Sequence, residues 1–230
     1  TADIDWQGRG WDRGLRGIAF DGDRVFIAAS NELFVYTPNF ELLGSFRNPY
    51  LMHCHEICVH QRRLYLTSTG YDSILGFDLD QNRFCFGLHV VGVGSSYQGS
   101  PYDPVSEKGP PPGNRLHLNN VYCDTTGMYL SGLNTRAMIR FDGRSLKRVA
   151  SLPAGMHNAR PHGDGVLFND TASDRVRLAL PDKDISFPVP QFEEAELTHT
   201  NLDDSRIARA VHDRRSTGGD RLVAVNHRPA

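Results

Sequence analysis

Three histidines and one glutamate stand out because they lie at the start of strand-like apolar runs, at His55-Glu56, His117 and His157. Imidazole nitrogens together with a carboxylate form a ligand set that suits zinc, iron, manganese or copper. A metal with one position left to water supports hydrolysis, isomerisation or oxygen chemistry. We therefore predict a divalent transition metal bound by His55, His117 and His157, with Glu56 as a catalytic residue that acts as ligand or general base.

Arginine and asparagine side chains recur beside these groups and indicate an anionic ligand. A guanidinium binds a carboxylate, phosphate or sulfate through paired hydrogen bonds. Arg160 is the predicted catalytic cation, because it would stabilise negative charge that develops on the substrate. The predicted substrate-binding residues are Arg16, Asn119, Asn120, Asn158 and Arg209. The alternative is that the arginines pair within the chain, with Glu56, Asp203 or Asp204.

The elements that would position these residues follow from a repeated phrase: a short apolar strand, a polar turn, and a second strand rich in β-branched and aromatic residues. The spacing between the two strands is the same in three copies, Ile18 to Phe26, Ile57 to Tyr65 and Val121 to Tyr129. Third and fourth strands follow in several copies. Four antiparallel strands in about 40 residues is the pitch of a β-propeller blade.

The predicted fold is therefore all-β, a single β-propeller over residues 1–230 with about five four-stranded blades. A β-sandwich is the alternative, but it does not explain near-equal repeats. The stretch 91–113, rich in Gly, Pro and Ser, is predicted to be an insert loop that either covers a channel mouth or is a surface excursion. The predicted blades are 15–50, 54–90, 115–152, 156–190 and 206–230, the last closed by an N-terminal strand from 1–12.

The first strand of each propeller blade lines the central channel, so equivalent positions in these strands meet. One position holds Arg16, His55, Asn119, His157 and Arg209, and the next holds Gly17, Glu56, Asn120, Asn158 and Ala210. A buried polar group without a partner costs about 1–3 kcal/mol. Such a ring of polar groups must be satisfied internally, by water, by a ligand or by a metal, and the sequence leaves these four alternatives open.

Composition narrows the class of partner. The formal net charge is -2 and the sequence pI is about 6.5, so no overall field favours nucleic acid or an anionic membrane. No apolar run approaches the roughly 20 residues of a membrane-spanning helix. The four cysteines form no CxxC pair, which favours reduced thiols and a cytoplasmic location. We expect a small-molecule partner, with Cys54, between two histidines, as a further possible metal ligand; the oligomeric state is open.

Four phrases together resemble a β-propeller family known as domain of unknown function 4915: MHCHE (52–56), RLHLNNV (115–121), MHNAR (156–160) and ARAV (208–211). The chain departs from that family where Asn120 and Ala210 replace glycines and where Asn158-Ala159 replaces Ser-Pro. The resemblance implies no reaction. It implies that the positions of functional interest are His55, Glu56, His117, Asn119, His157, Arg160 and Arg209.

The phrase over 120–131 is similar, more distantly, to gluconolactonase-like propellers, which use Glu and Asn side chains around a divalent cation. That similarity implies a corresponding set of Glu56, Asn120 and Asn158. We therefore predict a metal-dependent propeller enzyme that acts on a small polar, anionic metabolite at the channel mouth. The alternative is a propeller without catalysis that binds a sugar or organic acid, or that docks a protein.

Overall fold

Short polar turns fold apolar strands back on one another throughout the chain. The turn at Gly22, for example, needs a left-handed backbone, with φ of 57°, which glycine adopts without steric cost. The computed structural model describes residues 15–190, in which seventeen strands form four antiparallel sheets. Apart from one 3-10 turn at Thr69–Tyr71, these residues contain no helix. The all-β prediction is confirmed for this part of the chain.

Each sheet is a meander in which strands that follow one another in the chain pair as neighbours. We number the sheets as blades in chain order. Blade 1 contains β1 (Leu15–Asp21), β2 (Arg24–Ala29), β3 (Glu32–Tyr36) and β4 (Leu42–Arg47). Blade 2 contains β5 (Ile57–His60), β6 (Arg63–Ser68), β7 (Ser73–Asp78), β8 (Arg83–Val93) and β9 (Ser96–Tyr102).

The other two blades have four strands each. Blade 3 contains β10 (Leu118–Asp124), β11 (Gly127–Gly132), β12 (Ala137–Phe141) and β13 (Leu146–Ser151). Blade 4 contains β14 (Met156–His162), β15 (Gly165–Asp170), β16 (Arg175–Ala179) and β17 (Asp184–Pro188). The inner strands β1, β5, β10 and β14 lie against one another in that order.

The core consists of three apolar layers, one between each pair of neighbouring blades. Phe26 of blade 1 and Phe77 of blade 2 are fully buried in the first layer. Leu88 and Leu130 belong to the layer between blades 2 and 3, and Phe168 to the layer between blades 3 and 4. Face-to-face packing of sheets thus fixes the inner strands relative to one another.

Two parts of the predicted architecture differ from the structure or lie outside it. Residues 15–190 form four blades, and the predicted fifth blade, 206–230 with 1–12, lies outside the described residues. The first half of the predicted insert loop 91–113 instead forms the end of β8 and all of β9. Proline disfavours a central strand, but β9 lies at the edge of its sheet and therefore tolerates Pro101.

The second half of that stretch crosses to blade 3 as a loop that is fastened to its surroundings. The Tyr50 hydroxyl donates to the Ser106 carbonyl at 2.9 Å and accepts from the Gly109 N–H at 2.8 Å. The Gly113 N–H then donates to the Gly70 carbonyl. No helix in the described part of the chain has the length and apolar character needed to span a membrane.

Candidate functional site

The inner strands are irregular at the position of the predicted polar ring. Strand pairing skips Arg16 in β1, Asn119 in β10, and Asn158 with Ala159 in β14. A bulge of this kind takes a side chain out of the regular alternation of a strand and re-aims it. We call this end of the inner strands, with His55 and Glu56 just before β5, the channel mouth.

The chain enters the inner strands of blades 2, 3 and 4 through a left-handed backbone. His53, His117 and Gly155 have φ values of 56°, 52° and 81°, and each lies two residues before the ring position of its blade. Residues other than glycine adopt this region rarely, and such positions concentrate at functional sites. His53 and His117 therefore have a strained backbone conformation of the kind that is found at functional sites.

Glu56 is a partly buried carboxyl at the mouth. Its Oε2 accepts from Asn158 Nδ2 of blade 4 at 2.7 Å, and its Oε1 accepts from the Ile57 N–H at 3.2 Å. Burial raises the pKa of Glu56 to about 7, although the Ile57 N–H and the charge of Arg160 act in the opposite direction. A carboxyl with this pKa exchanges a proton readily near neutral pH.

The His55 ring is held in one tautomer. Its Nδ1 contacts the His53 carbonyl at 2.7 Å and the Thr69 hydroxyl oxygen at 2.8 Å. The Thr69 hydroxyl itself donates to the Leu118 carbonyl, so both partners of Nδ1 are acceptors. In neutral His55 the proton therefore lies on Nδ1, and Nε2 carries the lone pair that a base or ligand uses.

His117 packs edge-to-face on His55, with ring centroids 5.3 Å apart. The loop that carries His117 is fixed by Asp72, a buried carboxyl 4% exposed. Asp72 Oδ2 accepts the N–H groups of Arg115 and Leu116 at 2.6 and 2.9 Å. Burial raises the pKa of Asp72, and these N–H donors oppose that change. Asp72 thus positions His117 from another blade.

The remaining predicted residues are distributed around this pair. Asn119 and Asn120 are both buried and donate to the Met156 and Ala159 carbonyls, at 3.2 and 2.6 Å, so they join blade 3 to blade 4. The Asn119 Oδ1 is buried and has no hydrogen-bond partner within 15–190. Arg209 lies outside the described residues.

Two arginines act electrostatically near the mouth. The charge of Arg160 acts on Glu56, and the charge of Arg16 acts on Cys54. Both side chains are partly buried. Guanidinium groups bind anionic groups through paired hydrogen bonds.

The structure does not gather the predicted metal ligands into one group. Within residues 15–190, no three His, Cys, Asp or Glu side chains are placed to hold a metal ion together. His55 and His117 are in contact, and His157 begins the bulged part of β14. Burial raises the pKa of Cys54 to about 12, so its thiol is protonated near neutral pH.

Three positioning residues were missed by sequence reasoning: Thr67, Thr69 and Asp72. The Thr67 hydroxyl accepts the N–H groups of His55 and Glu56 at 2.9 and 3.0 Å. All three residues are buried although their side chains are polar. The run Thr67-Ser68-Thr69 at the end of an otherwise apolar strand is the signal that could have indicated them.

Solved structures with the same fold are β-propellers that include lyases. The chain matches an inactive variant of virginiamycin B lyase from Staphylococcus aureus with quinupristin, at TM-score 0.51 and 11% identity over 82% of this chain and 59% of that chain. It matches a streptogramin B lyase at TM-score 0.50 and 11% identity, over 78% and 56%, and U3-55K at 0.54 and 11%, over 80% and 54%. This chain thus spans little more than half the length of those proteins.

At this identity the likeness shows the fold alone, an all-β propeller with four described sheets. No protein-family model matches the chain, and no curated protein matches it. The resemblances to domain of unknown function 4915 and to gluconolactonase-like propellers stay predictions.

Proposed function

We propose that the channel mouth binds a small anionic metabolite and that Glu56 exchanges a proton with it. The observation that carries the proposal is the Glu56 carboxyl itself, partly buried, held by Asn158 across the mouth, and with a pKa of about 7. An acid–base group works best when its pKa lies near the operating pH.

The neighbouring residues suit the roles that such a reaction requires. Arg16 and Arg160 would attract the anionic group of the metabolite, and Arg160 would stabilise charge that develops on it. His55 offers a lone pair on Nε2, with its ring fixed by Thr69. The buried Asn119 Oδ1, which has no partner within 15–190, is an acceptor for a donor group on the ligand. Lyase or isomerase chemistry on an organic acid fits these groups.

The test uses purified protein and a panel of small mono- and dicarboxylates and inorganic phosphate. We expect one carboxylate to raise the melting temperature and to be converted by the wild type. Glu56→Gln should keep the thermal shift and lose the conversion, whereas Glu41→Gln, at an exposed position, should behave as the wild type. Binding without any turnover would support the alternative, a propeller that only captures an acid. No thermal shift with any probe would contradict both.

A metal-dependent form of the same reaction is the second candidate, because His55 and His117 already lie in contact. Since residues 15–190 bring no third His, Cys, Asp or Glu ligand to this pair, such a centre would need ligands from another part of the chain. Elemental mass spectrometry of the wild type and of His117→Ala decides between the two forms. Near-stoichiometric transition metal that is lost in the variant would support the metal-dependent reaction. A metal-free protein that is still active would contradict it.

We further propose that 206–230 with 1–12 form a closing fifth blade on blade 1. Ile57 and Val121 are buried because they face the preceding blade, yet Ile18, the equivalent residue of β1, is 49% exposed and Phe20 is 65% exposed. A face this apolar favours a covering sheet. Phe20→Asp should therefore lower the melting temperature strongly, and Leu43→Asp, at a comparably exposed position of β4, should not. Equal small effects would contradict closure.

A further inference from the structure

Two free cysteines meet between blades 2 and 3. Cys58 lies on β5 and Cys123 on β10, the inner strands of these neighbouring blades. The Cys123 N–H donates to Cys58 Sγ at 3.3 Å. A contact this close between residues 65 positions apart is set by the packing of the two blades.

We propose that Cys58 and Cys123 are a modification site, at which a peroxide converts the two thiols into a disulfide that joins blades 2 and 3. The contact places Cys58 Sγ 3.3 Å from the Cys123 nitrogen, and the Cys123 Cβ is only two bonds from that nitrogen. A change of side-chain torsion can then bring the two sulfur atoms to the bonded distance of about 2.05 Å without separating the sheets.

The surroundings make Cys58 the attacking thiol. The Cys123 N–H donates to the Cys58 sulfur, and a hydrogen bond to this sulfur favours its thiolate form. Burial of Cys123 opposes ionisation of its own thiol. Cys58 is partly exposed whereas Cys123 is 8% exposed, so an oxidant reaches Cys58 first. Thiolate character and access are the properties that make a cysteine oxidisable.

The chemistry balances with hydrogen peroxide as the oxidant. The Cys58 thiolate attacks one peroxide oxygen, the O–O bond breaks, and Cys58 becomes a sulfenic acid while hydroxide takes up a proton to give water. The Cys123 sulfur then attacks the Cys58 sulfur, the S–O bond breaks, and a second water leaves. Two thiols are thus oxidised by two electrons, and one peroxide is reduced to two waters.

The other two cysteines provide internal controls. Cys54 is fully buried, and its pKa is raised to about 12. The Cys85 thiol donates to the Gly76 carbonyl of its own blade at 3.6 Å. Neither is placed to form a disulfide with the Cys58–Cys123 pair, so we expect both to remain reduced under mild oxidation.

The test treats the purified full chain with hydrogen peroxide, removes the peroxide, unfolds the chain in guanidinium chloride so that iodoacetamide reaches every remaining thiol, and maps the peptides by mass spectrometry. We expect a Cys58–Cys123 disulfide, alkylated Cys54 and Cys85, and a melting temperature raised by about 5–10 °C that dithiothreitol reverses. Cys58→Ser and Cys123→Ser should each abolish the rise, whereas Cys85→Ser should keep it. Alkylated Cys58 and Cys123 after treatment, or a Cys58 sulfinic acid without the disulfide, would overturn the proposal from the wild-type map alone.

Discussion

Glu56 of blade 2 and Asn158 of blade 4 meet across the channel mouth, where Asn158 Nδ2 donates to Glu56 Oε2 at 2.7 Å. Blade 3 lies between these blades in the packing order, so the contact spans the mouth instead of following an interface. Asn158 reaches this position through a bulge and a left-handed backbone, with φ of 53°. The carboxyl that titrates near neutral pH is thus oriented by a residue 102 positions away in the chain.

Glu56→Gln should stabilise the protein at pH 8 and leave its stability at pH 4 unchanged. Burial raises the pKa of Glu56 to about 7, whereas the unfolded chain ionises it near 4.5. As the pH rises between these values, the unfolded state loses its proton first, so the carboxyl destabilises the fold increasingly and by a constant amount above about 7. The expected gain at pH 8 is about 1–3 kcal/mol, allowing for partial exposure.

The measurement is the free energy of unfolding by urea at pH 4, 6 and 8, with Glu41→Gln as the exposed control. The gain should grow between pH 4 and 8 for Glu56→Gln and stay near zero for the control. A gain that is equal at all three pH values would show that the effect comes from packing and not from ionisation.

Arg160→Gln should raise the pKa of Glu56 further, because the positive charge of Arg160 favours the ionised carboxyl. The carboxyl carbon of Glu56, followed by NMR during a pH titration, reports this change directly. Arg148→Gln, at an exposed position of β13, is the matched control and should leave the titration unchanged. If both variants titrate like the wild type, Arg160 does not act on Glu56 and its proposed role at the mouth fails.

The strands were predictable because their signals are local. The equal spacing from Ile18 to Phe26 and from Ile57 to Tyr65 corresponds to the observed pairs β1–β2 and β5–β6. Alternation and turn chemistry specify such hairpins over a few residues. β9 was missed because Gly99 and Pro101 indicate a loop locally, and only pairing with β8 makes this segment a strand.

The site was predictable in residue type but not in geometry. Symmetry of the repeat placed His55 at one ring position and Glu56 with Asn158 at the next. The bulges that re-aim Asn119 and Asn158 depend on how their inner strands pair, which no local pattern shows. Asp72 could not be found in this way, because the groups that it holds lie more than 40 positions further along the chain.

Asp21→Asn should weaken the junction of blades 1 and 2 above about pH 4. The Asp21 carboxylate accepts hydrogen bonds from Arg24 of its own blade and from Arg62 of blade 2, both at 2.9 Å. Both contacts lower the pKa of Asp21, and the hydrogen bond from Arg24 has the largest effect. A lowered pKa contributes stability that is present above the unfolded value of 3.8 and lost as the pH falls through the folded value. We expect a loss of about 0.5–1 kcal/mol at pH 7.

Salt and pH separate this effect from simple packing. The loss should shrink in 1 M sodium chloride, where charges are screened over about 3 Å. It should also vanish near pH 2. Asp164→Asn, at an exposed turn of blade 4, is the control and should change nothing. A loss of stability that is independent of both salt and pH would contradict an ionic junction.

Asp72→Ala should release the segment that carries His117 and disturb the pair that His117 forms with His55. The substitution leaves the N–H groups of Arg115 and Leu116 without their acceptor, at a cost of about 2–4 kcal/mol in unfolding free energy. Asp72→Asn keeps one acceptor oxygen and should cost less. The NMR signal of the His117 ring separates positioning from stability alone: it should move in both variants, whereas the signal of His60, the last residue of β5, should stay. If stability falls but the His117 signal does not move, Asp72 only stabilises the fold, and the contact between His55 and His117 must be maintained by Thr69 and the inner strands without it.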